Sequence, residues 1–222
     1  MRKLILLTTL LFAIQFNAQN SNEEDWGSWV MLYGTNKISN SFDVITEFRL
    51  HHYEIFKDLD NQFIRLGLTY ELSPGIFVTA GYIHQYSQTR DDINVSENRP
   101  YEEITLKNRF KKFKLAHRYR IEHQWINKLG STGFKHRLRY RFRISHPLSK
   151  RFYLMAMNEL FLNFQDPLFN QNRLQMGLGY VFDPALKVEL GYLKNHFSTT
   201  NYDFLRVGII FNTDLRKRSV AE

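Results

Sequence analysis

No cysteine occurs among the 222 residues. That excludes a disulfide framework and the acylated cysteine of an exported lipoprotein, so the rigidity of such a chain has to come from elsewhere. Long apolar runs are nearly absent too. One stretch, Leu4 to Ile14 behind Met1-Arg2-Lys3, is continuous enough to notice. It falls short of the roughly 20 residues that a membrane-spanning helix needs, which argues against an uncleaved anchor. With Asn17-Ala18-Gln19 beyond it, the stretch reads as a secretory signal cut after Ala18. Nothing later is long and apolar enough for a transmembrane helix. If the chain resides in a membrane, a closed β-barrel is the one way left to satisfy its backbone. A block of like charge is missing as well. The formal net charge of +8 falls to +6 without Arg2 and Lys3, and the remaining Lys and Arg are spread along the chain. Dispersal and export together argue against a nucleic-acid partner.

What is present is alternation. From Phe134 to Ser145 one face carries Phe134, His136, Leu138, Tyr140, Phe142 and Ile144, the other Lys135, Arg137, Arg139, Arg141, Arg143 and Ser145. A helix would scatter these residues around its circumference, whereas a strand sorts them onto two faces. The same period recurs in segments of about ten residues, the signature of a transmembrane barrel. Examples are Phe42 to Tyr53, Gln62 to Leu72, Ile76 to Gln88, Tyr101 to Phe110 and Phe113 to Trp125. Arg151 to Phe164, Asn172 to Phe182, Leu186 to His196 and Tyr202 to Thr213 continue it, and Trp26 to Tyr33 precedes it.

Tight turns are expected at Ser73-Pro74-Gly75, Lys111-Lys112, Pro147-Leu148 and Asp183-Pro184. Longer polar loops are expected between them, near 57–60, 89–100, 127–133, 165–171 and 197–201. Short periplasmic turns and longer extracellular loops would then orient the barrel. The fold expected is all-β: a transmembrane, antiparallel, up-and-down barrel of ten to twelve strands. It would occupy residues 19–213, between a signal peptide at 1–18 and a polar tail at 214–222. An even count is usual, so Trp26 to Tyr33 calls for a twelfth strand as partner, a place in the lumen, or the periplasmic rim.

Trp26-Gly27-Ser28-Trp29, Arg118-Tyr119-Arg120-Ile121-Glu122 and Arg137-Leu138-Arg139-Tyr140-Arg141 carry a resemblance. With them the chain resembles the uncharacterised outer-membrane β-barrels of domain of unknown function 2490, from Asp25 to about Phe211. The resemblance implies barrel fold and bacterial outer-membrane location, with outer-membrane lipids and the barrel assembly machinery as partners. It brings no catalytic residues. Many barrels end on an aromatic residue that the assembly machinery reads, whereas here Asn212 to Glu222 follow Phe211.

The wet face gives the candidate site. Arg65, Lys107, Arg109, Arg118, Arg120, Arg137, Arg139, Arg141 and Arg143 oppose Glu103, Glu122 and Glu159, with Arg49, Arg173, Glu47, Glu71 and Glu189 on the same face. The strands of Arg118 to Glu122 and Arg137 to Arg143 are consecutive, so their inward faces should adjoin. One reading is a lumen-filling ion-pair network in a narrow barrel; the other is a basic constriction that passes or holds small anions. A lipid-modifying enzyme would need Ser145 with His146, or Ser87 with His84, and no carboxylate is placed to orient His146. His51 and His52 point to opposite strand faces and cannot chelate together, so no metal and no cofactor is expected. A secreted soluble barrel that binds a ligand stands as the global alternative, with its oily face inside. The membrane-barrel reading takes the protein as a monomer.

Overall fold

The structure, a computed structural model, describes residues 26–216. The expected signal peptide and the end of the C-terminal tail lie outside the described residues. Eleven strands follow one another: β1 (Gly27–Lys37), β2 (Phe42–Glu54), β3 (Lys57–Ser73), β4 (Ile76–Gln88), β5 (Asn94–Phe110) and β6 (Phe113–Lys128). Then come β7 (Ser131–Pro147), β8 (Phe152–Asn163), β9 (Phe169–Val181), β10 (Leu186–Phe197) and β11 (Asn201–Asp214). Each pairs antiparallel with its sequence neighbour, and β1 meets β11 to close the barrel.

That seam settles the place of the first strand. β1 lies in the wall, antiparallel to β2 and parallel to β11, in register from Gly27 against Phe204 to Lys37 against Asp214. It is neither in the lumen nor at a rim, and no twelfth strand accompanies it among the described residues. An up-and-down meander with an odd count brings its first and last strands together pointing the same way. A parallel ladder satisfies their free edges as fully as an antiparallel one.

Connections are short at both ends. The rim with the Pro74-Gly75 and Lys111-Lys112 turns, called lower here, has connections of two to four residues, and the upper rim two to five. The expected contrast of short turns and long loops is absent. Residues 57–60 and 94–100, read as loop, are strand, and the 127–133 loop shrinks to Leu129-Gly130. Their side chains are polar on both faces, which hides a strand from a period-two reading while leaving its backbone free to pair. Leu129 and Gly130 both take positive φ, as a two-residue hairpin turn with the strands' own twist requires. Gly75, at φ 84°, also needs its missing side chain, because a Cβ would meet the Lys107 carbonyl.

The alternation decides inside and outside. Along β3, Phe63 and Arg65 are 1% and 4% exposed, while Ile64, Leu66 and Leu68 are about half exposed at 50%, 56% and 48%. The oily face is the outer one, the reverse of a soluble barrel's arrangement. The interior is not uniformly wet, however. Phe63, Ile83 and Tyr101 form one buried apolar cluster, and Trp29, Leu193 and Phe204 another. Where aromatic rings turn inward, glycines on adjoining strands make room. Tyr101 covers Gly67 and Gly81, and the Tyr153 ring lies where a Cβ on Gly179 would stand.

Candidate functional site

Cross-strand register brings the charged side chains together. Glu103 stands opposite Arg120, and Arg120 opposite Arg139. Glu122 faces Arg137, and Glu159 faces Arg141. From these pairs a closed ring of alternating charge forms across β5 to β8. Arg120 donates to Glu103 at 2.6 Å and to Glu122 at 3.3 Å. Arg139 donates to Glu122 at 2.6 Å and to Glu159 at 2.8 Å. Arg118 donates to Glu159 and lies 3.6 Å from Glu103, which completes the circuit. Arg120, Glu122 and Glu159 are each at most 2% exposed. In such burial a carboxylate is tolerated only with its counter-charges in contact.

More arginines attach to the ring from outside. Arg137 donates to Glu122 at 2.6 Å, with Arg99 at 3.7 Å from the same carboxylate. Arg173 reaches Glu159 at 4.0 Å and Arg65 reaches Glu103 at 3.9 Å. Glu47 serves Arg49 at 2.9 Å and Arg65 at 2.8 Å, and Glu97 serves Arg99 at 2.6 Å. On the far wall Glu189 accepts from Arg143, from Arg206 at 3.0 Å and from the Tyr153 hydroxyl at 2.8 Å. The ring and its attachments join eight guanidiniums to five carboxylates, and the separate Glu189 group adds two to one. Positive charge is in excess before any unpaired group is added.

Two cavities lie within the barrel among the described residues. The one toward the lower rim has a volume of about 670 Å³, the one toward the upper rim about 350 Å³. Thirteen basic and five acidic side chains line the first, six basic and three acidic the second. Arg49, Arg139 and Arg173 line both and so form the waist between them. Each is seated on a ring. Arg49 lies 3.4 Å from the Phe63 centroid, Arg139 lies 4.2 Å from that of Phe161, and Arg173 lies 4.4 Å from that of Trp29. Such stacking fixes a guanidinium's plane while leaving its edge for acceptors, which for Arg139 are Glu122 and Glu159, for Arg49 Glu47 and for Arg173 Asn195.

Of the residues singled out from sequence, Arg65, Arg118, Arg120, Arg137, Arg139, Glu103, Glu122 and Glu159 meet in the network, and Arg143 joins the separate Glu189 group. Arg141, Lys107 and Arg109 line the lower cavity, Lys107 and Arg109 near its mouth, and none of the three makes an ion pair within 4 Å among the described residues. Arg99 and Arg206 escaped the sequence reading. Arg99 sits in a stretch read as loop; Arg206 alternates with Leu205 and Val207 in the last strand, a signal that was there to use. The ring platforms Trp29 and Phe161 had no such signal, because inward-facing aromatics break the pattern of an oily face against a wet one.

Neither Ser–His pair named from the sequence forms a hydrogen bond among the described residues. Ser87 is paired with Asn61, and the His84 imidazole lies 2.9 Å from Asn98 on the outer face. His146 Nδ1 bonds the Pro147 carbonyl at 2.8 Å. His51 packs on Trp29 inside the barrel, and His52 contacts Ser28. His117 bonds Tyr140 and His123 contacts His136, all four on the outer face. No group of three potential metal ligands occurs among the described residues.

A family profile described as "Protein of unknown function (DUF2490)" matches residues 26–206. Among solved structures the barrel is similar to that of the NanC porin in a rhombohedral crystal form, with a TM-score of 0.54 and 12% identity. The match covers 83% of this chain and 96% of that one, and at such identity it is a likeness of fold. No curated protein sequence matches the chain.

Proposed function

The chain belongs to the DUF2490 family, whose function is unknown, and we propose that it is a bacterial outer-membrane barrel whose arginine-rich interior passes or holds small anions. The observation that carries this reading is the imbalance of thirteen basic against five acidic side chains around the lower cavity. Inside a low-dielectric wall, a surplus of fixed positive charge concentrates anions and repels cations. The waist of Arg49, Arg139 and Arg173 supplies a constriction, as the restricted bore of an eleven-strand barrel would lead one to expect. Membrane residence is supported by the oily exterior, since every strand exposes at least one large apolar side chain. In this reading the signal is cleaved after Ala18, the assembly machinery inserts a monomer, and lipid covers the outer face. It assigns no catalysis.

A second reading has support of its own. The closed Glu103-Arg120-Glu122-Arg139-Glu159-Arg118 circuit saturates its own charges and would brace the wall as a structural plug. Single-channel recording of the refolded mature barrel across a salt gradient separates the two. Steady anion-preferring current, reduced in selectivity by Arg173→Gln, is the expected result. Absence of current from a demonstrably folded barrel would overturn conduction and leave the plug.

A further inference from the structure

We propose that Arg141 is the centre of a discrete binding site, in the lower cavity, for a small phosphate or phosphate-monoester dianion. The proposal deepens the anion reading and rests on it, but it concerns a resting place for the ion and not a path through the barrel.

The starting point is a missing partner where one is expected. On β7, Arg141 faces Arg118 of β6 on one side and Glu159 of β8 on the other. The natural salt bridge is with Glu159, and it is not made. One Glu159 oxygen accepts from Arg118 and Arg139, and Arg173 approaches the other at 4.0 Å. Glu103, the next carboxylate around the wall, is held by Arg120 at 2.6 Å. Glu189 is likewise spent on Arg143, Arg206 and Tyr153. Arg141 therefore lines the cavity with no hydrogen bond and no ion pair within 4 Å among the described residues, and the charges of Glu159 and Glu103 act on it only from farther away.

The neighbourhood adds to the deficit. Lys107, Arg109, Lys114 and Lys187 line the same cavity without an ion pair within 4 Å among the described residues. Asp43 is the one carboxylate of the cavity outside the ion-pair network, so five cations here face a single free acid. A monovalent ion would leave most of that surplus in place. A phosphate dianion matches the fork of one guanidinium with two oxygens and leaves its remaining oxygens for Lys107, the cavity lysine on which the charge of Arg141 acts. A cavity of about 670 Å³ has room for phosphate and for a small esterified group beside it.

The test is calorimetric titration of inorganic phosphate into the mature barrel in zwitterionic detergent, repeated with glycerol phosphate and with sodium chloride. Saturable one-to-one binding of phosphate is expected, weakened about tenfold or more by Arg141→Gln, as loss of a charge-assisted hydrogen-bonded pair implies. Lys128→Gln, at the exposed upper end of β6, should leave it unchanged. Arg141→Lys, which keeps the charge and loses the fork, should fall between. Heat-modifiable electrophoretic mobility verifies folding of each variant. Non-saturable heats in the unmodified protein, or equal binding by a folded Arg141→Gln barrel, would overturn the site. Glycerol phosphate competing with phosphate would place the ester in the same pocket; its failure to compete restricts the ligand to the free ion. A barrel that binds phosphate and passes no current keeps this site and overturns conduction alone.

Discussion

At the scale of single residues the interior is governed by sharing. The three glutamates of the ring each hold more than one arginine, so removing one carboxylate strands several guanidiniums at once. Glu159→Gln keeps the volume and removes the charge that Arg118, Arg139 and Arg173 share. It should lower stability by about 3 kcal/mol, the cost of leaving a buried charge uncompensated, read as an earlier midpoint in urea unfolding followed by tryptophan fluorescence. The same change should raise anion preference, since it adds to the positive surplus. At the waist, Arg173→Ala removes a guanidinium from over Trp29. Larger unit conductance with weaker anion preference is the expected outcome; an unchanged conductance would take Arg173 out of the constriction.

At the scale of strands, packing across the pleat matters as much as charge. The Tyr153 ring on β8 lies across Gly179 on β9, and its hydroxyl reaches Glu189 on β10. One side chain thus ties three strands together, in the manner of an aromatic covering a strand glycine. Gly179→Val should displace the ring and cost roughly 1–3 kcal/mol as overpacking. Tyr153→Phe keeps the ring, so its smaller loss isolates the hydrogen bond. The two substitutions combined should be less than additive, because the first already breaks the contact that the second removes. Urea midpoints of the four proteins in the cycle test this.

At the scale of the whole molecule, the odd strand count has a topological consequence. β1 begins at the upper rim and β11 ends at the lower one, so Gly27 and Asp214 lie at opposite ends of the barrel. Epitopes placed just before Trp26 and just after Arg216 should therefore be reached by antibody from opposite sides of the membrane. Labelling of both from one side would mean an even-stranded wall. Selectivity is a second molecular property. The Debye length shrinks from about 10 Å at 0.1 M salt to about 3 Å at 1 M. Reversal potentials at a fixed concentration ratio should therefore fall toward zero as total salt rises, more steeply for the wide lower cavity than for a preference set at the close-packed waist.

The sequence by itself determined the strand period, the split into an oily and a charged face, and the all-β fold. These are local properties, since successive residues of a strand point to opposite sides whatever the strand's neighbours. It also made β4 legible to the residue, at Ile76–Gln88, because Pro74-Gly75 marks its start. The adjoining of the Arg118 to Glu122 and Arg137 to Arg143 faces was legible too, as consecutive strands in a meander must pair. Tertiary structure alone decided the rest. Closure between β1 and β11 depends on contacts between the two ends of the chain, and no local signal carries it. Which carboxylate each arginine takes depends on register summed around the wall, which is why Glu159 stands opposite Arg141 yet bonds Arg118 and Arg139 instead.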